Sequence, residues 1–306
     1  VDVLKSQTDN IAKEDAYTLA LFAQDEIKLL RNLQALIGVR YIYHENFKNH
    51  ATPNVALMYK PGKFNFRASY AAGFRTPTLS DLYATDIAKK NDRLTIGNLD
   101  LKPEKNNYFS LSAEYVHERF SVSVNAFYNN IRDMIDYNTI ATGDKAMEQY
   151  GHKEVRQRDN IAEAKVHGIN VSANAYLGAG FNLSGGYTHL NTQDVELEQP
   201  IDKSIKNAYN INAQWAHSWK IYRLNINLNG RINSKRFSKS YGYAPEYQLW
   251  DLNTRHSFNL KSVIIEPGCG MENLFDYMDD RPYNSNYATL TPGRSFYISL
   301  SLKFKS

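Results

Sequence analysis

Eight histidines, 22 tyrosines and one cysteine, Cys269, are the side chains of widest chemical reach in this 306-residue sequence. A serine hydrolase needs serine, histidine and aspartate clustered on one strand face or at a sharp strand-to-helix turn. His117, His189, His217 and His256 instead fall near the ends of alternating segments, and no nucleophile elbow or glycine-rich phosphate loop occurs. A single cysteine supplies neither a disulfide framework nor a thiolate metal site. Catalysis is therefore not expected, and what remains is recognition. His50, His152, Tyr83 and Tyr150 lie in polar stretches where an imidazole or phenol could coordinate iron. Phe74 and Arg75 stand beside Tyr83's stretch and offer an apolar plane and a fixed cation. Lys145, Lys153, Arg156 and Arg158 could attract an anion, although Asp144, Glu148 and Glu154 offset most of their charge. Each of these is also what a solvated loop ordinarily carries.

The elements that must hold these residues announce themselves by alternation. "RLNINLNGRINSK" puts Leu224, Ile226, Leu228, Gly230 and Ile232 on one beat, and Arg223, Asn225, Asn227, Asn229 and Arg231 on the other. A strict period of two means a strand with one oily face and one polar face. The pattern recurs in "FNFRASYAAGF", "FSVSVNAFY", "YNINAQWAHSW" and "RSFYISLSLKF". About thirteen such segments can be matched, each near the ~10 residues that cross a bilayer as a tilted strand. Composition agrees, because tyrosine and asparagine favour strands and turns over helices. No apolar run approaches 18 residues, so no membrane helix is expected, which says nothing against a membrane strand. The charge of +4 is too balanced to suggest nucleic acid as a partner.

The connections alternate as regularly as the strands. Short ones fall at Arg31-Asn32, Pro61-Gly62-Lys63, His117-Glu118-Arg119, Gly178-Ala179-Gly180, Lys220-Ile221 and Lys261-Ser262. Long ones span 45–52, 75–104, 132–160, 194–205, 236–246 and 275–292. Tight turns on one rim and loops on the other are the asymmetry of an outer-membrane barrel. Tyr41, Tyr43, Phe74, Tyr128, Trp215, Trp219 and Phe304 crowd the strand ends, where interfacial girdles sit. The oily beat is then expected to face lipid. The polar beat, with Arg67, Arg223, Arg231 and Glu114, would face a lumen. Lipid offers the backbone no partner, so such a sheet must close. Single-chain bacterial barrels use even strand numbers. Thirteen is odd, and "VDVLKSQTDN" does not read as a start, so the chain is expected to be the C-terminal part of something longer.

Four further stretches carry a resemblance. They are "AAGFRTPTLSDLYA" at 71–84, "GNLDLKPEKN" at 97–106, "MENLFD" at 271–276 and the closing "TPGRSFYISLSLKF". In this order they resemble the C-terminal barrel of TonB-dependent outer-membrane receptors, with Leu99 where that family usually has proline and Lys305-Ser306 following its terminal aromatic. The opening "LFAQDEIKLLRNLQALIGVRY" is similar to the family's "QDE" strand and its hairpin partner, so the resemblance runs over residues 1–306. It implies an all-β, antiparallel up-and-down transmembrane barrel of 22 strands, of which this chain supplies the last thirteen, with the plug domain absent. From the residues themselves, Pro77 and Pro103 would bracket the 75–104 loop. Asp100 and Glu104 with Lys102 and Lys105 would pin its return, and Gly97 would permit a turn closed to other residues.

By the same resemblance the protein is expected in the bacterial outer membrane. It would take up a scarce iron complex, siderophore or haem, powered by the TonB energy-coupling protein through the plug. Cobalamin, an oligosaccharide or a passive porin are the alternatives. No resident cofactor is expected and no metal ligand set can be named. Phe74, Arg75, Tyr83, Tyr150 and His152 are the candidate ligand-binding residues of the outer loops. Haem would favour a histidine within 78–96, and that stretch has none.

Overall fold

A computed structural model of the chain describes residues 2–4, 14–160, 163–238, 242–279 and 291–305. A short ribbon of β1 (Asp2–Leu4) and β2 (Glu14–Ala16) comes first. Four long strands follow: β3 (Thr18–Leu30), β4 (Leu33–His44), β5 (Lys48–Tyr59) and β6 (Phe64–Arg75). The next connection holds helix α1 (Leu79–Tyr83) and strands β7 (Thr85–Ala88) and β8 (Arg93–Ile96). After β9 (Glu104–Val116) and β10 (Phe120–Arg132) comes a second elaborate connection. It contains β11 (Ile135–Thr142), helix α2 (Gly143–Tyr150) and β12 (Glu154–Asn160). Long strands then resume as β13 (Ala164–Gly178), β14 (Phe181–Asp194), β15 (Asn207–Trp219) and β16 (Tyr222–Asn233). A ribbon of β17 (Arg236–Ser238) and β18 (Gly242–Ala244) precedes β19 (Tyr247–Asn259), β20 (Val263–Glu272) and β21 (Ser295–Phe304).

The long strands form one thirteen-stranded antiparallel sheet, each paired with its long neighbours in chain order. Thirteen alternating segments are thus thirteen adjacent strands. The register preserves the alternation across the sheet. Leu183, Ala213, Leu228, Leu252, Met271 and Phe296 lie opposite one another in a single row. One position along, Ser184, Asn212, Asn229 and Asp251 make a polar row. A slip of one residue anywhere would mix the rows. The two bulges, at Lys28/Leu30 and Tyr176/Gly178, are confined to the short-turn end, where such a shift does least harm.

Neither face of this sheet is covered. Leu111 is 63% exposed and Leu300 66%, so the apolar face holds no core and must meet an apolar medium. The strands run from 10 to 15 residues, ~33–50 Å of extended chain; tilted by ~45° they rise ~23–35 Å, so the shortest just match a ~25 Å apolar band and the longest outreach it. Among the described residues β3 and β21 each pair along one side only.

The short turns lie where the sequence places them, but one long connection does not. The expected loop at 45–52 is a three-residue turn, 45–47, because β5 begins at Lys48 opposite His44. Lys48 takes a left-handed φ of 62° and its Nζ donates to the Glu45 carbonyl at 3.0 Å, which closes the turn. His50 is consequently a strand residue. The stretch reads as loop in the sequence because its residues are mostly polar and show no period of two. The pairing of β5 with β6 stops at Asn54 and Ala71, beside Pro53, which has no N–H to donate. Most of the 275–292 connection, with "NSNYATL", lies outside the described residues.

Candidate functional site

The densest chemistry stands on the long-connection rim, where two loops fold into one body. Strands β7 and β8 form a hairpin, β11 and β12 form another, and β8 and β12 join them in parallel from Arg93 opposite Glu154 to Ile96 opposite Gln157. A four-stranded sheet therefore replaces what the sequence presents as two independent loops. Its core is small: Leu82, Leu101 and Ile135 are buried together, and Phe47 and Tyr83 pack against them. Ala146 of α2 and Val155 of β12 are also wholly buried.

Asp81 is the hub. Thr78 caps α1, its hydroxyl accepting from the Asp81 amide at 3.1 Å, while Asp81 Oδ2 accepts from the Thr78 amide at 3.0 Å. This reciprocal box satisfies two N–H groups at a helix start. Arg75 Nη2 reaches the same carboxylate oxygen at 3.2 Å, and Arg158 Nε reaches Oδ1 at 3.3 Å from the other loop. Arg75 also donates to Glu104, whose Oε1 accepts the Ile135 amide at 2.9 Å. Arg158 lies 3.8 Å from the ring centroid of Tyr137, a cation–π contact. Burial alone would raise the Asp81 carboxyl. Its bonds to Thr78 and the two guanidiniums outweigh that and hold it below the ordinary carboxylate range.

Two further clasps join the loops. His152 Nδ1 lies 2.9 Å from Asp92 Oδ1, and the Lys153 amide donates to the Asp92 carbonyl at 3.0 Å. The hydrogen bond from His152 holds the Asp92 carboxyl below its usual range. Asn160 donates from Nδ2 to the Lys102 and Asp133 carbonyls at 2.9 and 2.6 Å, and accepts the Lys102 amide at 2.7 Å.

The five candidate residues are all on this rim, in different situations. Phe74 stacks on His50 with ring centroids 3.7 Å apart, filling the gap where β5 and β6 stop pairing. Arg75 is shared between two carboxylates. Tyr83 packs on the loop core. His152 clasps Asp92. Tyr150 ends α2, just before Gly151, whose left-handed φ of 73° terminates the helix. It makes no hydrogen bond or ring contact among the described residues.

Sequence reasoning missed Asp81, Arg158 as its partner, and Asn160. The Thr78–Asp81 spacing of a capping box was the available signal. Two expected roles are corrected. Asp100 and Lys102 form no ion pair among the described residues; the loop's return is pinned by Glu104 to Arg75 and by the Lys102 backbone to Asn160. Gly97 is not in a left-handed conformation. It must be glycine because a Cβ there would sit 2.4 Å from the Leu82 carbonyl oxygen.

Below this rim the polar face is an asparagine wall. Asn212 Nδ2 donates to Asn227 at 2.7 Å and to Asn229 at 2.6 Å. Asn65 donates to Glu114 at 2.8 Å, and Lys303 pairs with Glu266 at 2.7 Å. No cluster of three metal-ligating side chains occurs among the described residues.

Residues 2–274 match the family model described as "TonB dependent receptor-like, beta-barrel". Solved structures of the same fold include the ferric enterobactin receptor PfeA of Pseudomonas aeruginosa, 20% identical over 98% of this chain and 46% of that one, with a TM-score of 0.78. The siderophore receptor PirA of Acinetobacter baumannii is 16% identical over 98% of this chain and 47% of its own, with a TM-score of 0.74. The copper transporter OprC is 12% identical over 95% of this chain and 48% of its own, with a TM-score of 0.72. The chain spans about half the length of each.

Proposed function

The chain belongs to the TonB dependent receptor-like β-barrel family, whose barrels are outer-membrane proteins, and on that premise we propose that it is the wall and outer loop module of an active-uptake receptor for an iron complex. In this reading the apolar face lies in the hydrocarbon of the bacterial outer membrane. The asparagine and arginine face lines a lumen closed by further strands and filled by a plug that meets the TonB energy-coupling protein. The observation that carries the proposal is the joining of two long connections into one packed body on one rim of a two-faced sheet. A passive pore needs no such structure over its mouth, whereas a receptor needs a preorganised surface.

Within iron complexes we favour a siderophore. Two of the named structures are siderophore receptors, and the 78–96 stretch lacks the histidine that haem would favour. Tyr150 is the candidate for direct ligand contact. Phe74, Arg75, Tyr83 and His152 set the shape of the surface that presents it. The test is uptake of radiolabelled ferric siderophore by cells carrying the intact protein. Loss of high-affinity uptake on deleting the energy-coupling protein is the expected result. Undiminished uptake, or ohmic conductance of the intact protein in a planar bilayer, would refute it.

A further inference from the structure

The two rims of the sheet handle charge in opposite ways. On the long-connection rim acidic residues stand among the basic ones: Arg75 and Arg158 pair with Asp81, Arg156 with Glu154, His152 with Asp92, and Arg132 and Lys165 with Glu163, while Lys89, Lys90, Lys145 and Lys153 share their connections with Asp86, Asp144 and Glu148. The short-turn rim consists of residues 31–32, 60–63, 117–119, 179–180, 220–221 and 260–262. Its charged residues are Arg31, Lys60, Lys63, Arg119, Lys220 and Lys261, against Glu118 alone. All six cations are exposed, and none is ion-paired among the described residues. A net charge of +4 over the whole chain conceals this segregation.

Directly beside these turns the apolar face ends in aromatic rings in contact with one another. Phe64 meets Tyr115 at 4.9 Å between centroids, and Tyr115 meets Phe120 at 5.6 Å. Further along, Phe181 meets Trp215, Trp215 meets Trp219, Trp219 meets Tyr222 and Tyr222 meets Phe258, all within 6.1 Å. Such a belt marks the level of the headgroups.

We propose that the short-turn rim is a binding surface for the headgroups of anionic phospholipid. Alternate hairpin turns lie ~10 Å apart along a sheet, so the cations are strung out below the belt rather than gathered in a patch. That distribution fits a leaflet that borders the wall along its whole length. A folded acidic protein would need the charges concentrated. Unpaired lysine and arginine at an interface gain from phosphate what they lack from the protein's own carboxylates. The inference rests on the membrane-wall reading above, but not on transport.

The test is lipid selectivity of the intact receptor, reconstituted in bilayers and probed with spin-labelled phosphatidylglycerol and phosphatidylcholine. Phosphatidylglycerol is expected to associate more strongly, by roughly five-fold where one cation meets one headgroup, the equivalent of ~1 kcal/mol. The ratio should fall toward one as salt rises. It should also fall in a variant carrying Arg31→Gln, Lys60→Gln, Lys63→Gln, Arg119→Gln, Lys220→Gln and Lys261→Gln. A wild-type ratio of one at low salt overturns the inference, and so does a preference that salt and the variant leave intact. The salt series needs no variant to fold. Failure of the receptor to enter any bilayer overturns the wall reading and this inference together, whereas entry without selectivity overturns this inference alone.

Discussion

Asp81→Asn should loosen the loop module while leaving the sheet beneath it intact. The amide keeps the volume and one acceptor oxygen. That oxygen can serve Thr78, but then the NH₂ group faces Arg158, donor against donor. A hydrogen bond to a charged group contributes ~1.5–3 kcal/mol. The Arg158 side chain is 24% exposed and Arg75 48%, so the Arg75 pair adds little beyond screening. A net loss of about 2 kcal/mol follows, which multiplies the open fraction of the module by roughly thirty. Hydrogen exchange of the intact protein in detergent reads this directly. The Leu82 amide bonds the Thr78 carbonyl, the Asn98 amide bonds the Asp81 carbonyl, and the Ile135 amide bonds Glu104. These three should exchange roughly thirty-fold faster, by the same conversion, while amides of the β15–β16 ladder keep their wild-type rates. Unchanged exchange in the module would refute the hub role of Asp81. An equal acceleration throughout the sheet would refute the claim that loop module and wall are separate units of stability.

Three other outcomes follow from the same geometry. Because the Asp81 and Asp92 carboxyls are depressed in the folded state, their contribution to the module is complete above the ordinary carboxylate value of ~3.9 and is lost as pH falls through the depressed ones; protease cleavage within 85–96 and 136–153 should therefore appear in acid and be absent at neutral pH. Leu228→Arg, in the middle of the apolar row, should lower folding into vesicles by about 2–4 kcal/mol, whereas Asn229→Arg on the polar face should be tolerated, as heat-modifiable gel mobility would record. Gly97→Ala should open the module by about 1–3 kcal/mol, because its methyl meets the Leu82 backbone rather than a movable side-chain tip, and the Gly97 amide bond to the Ala84 carbonyl is the exchange probe.

What could be read from the sequence was whatever a period of two imposes. Leu228 is apolar because Leu252 and Ala213 flank it on a face that meets no protein, and Asn229 is polar because Asn212 flanks it on the other. Each choice is local and repeats every second residue, so the thirteen strands and their turns are legible without knowing the fold. The loop module is governed by different physics. Asp81 and Arg158 are 77 positions apart in sequence, and no periodicity relates them. Strands β7 and β8 are four residues each, too short to show alternation. The parallel pairing of β8 with β12 depends on two connections being brought over one another by β6, β9 and β10. Gly97 and Asn160 could be noticed as residues, but their roles lie in carbonyl groups that only the folded loops bring near.

This division bears on how a signal could travel in the molecule. The sheet has no core of its own and relies on its surroundings to cover the apolar face. The buried cluster of Leu82, Leu101 and Ile135 lies instead in the loops, and it ties the β6–β9 connection to the β10–β13 connection. Arg75 is the last residue of β6 and Glu104 the first of β9, and the Asp81 hub holds Arg75 and Arg158 at once. A ligand that moved α2 would therefore pull on β12 and Arg158, and through Asp81 and Arg75 on the tops of two wall strands. The module is packed around Leu82, Leu101 and Ile135 and ionic where it meets the wall. If the module receives a ligand as proposed above, these ion pairs are the contacts whose rearrangement would pass that event to β6 and β9.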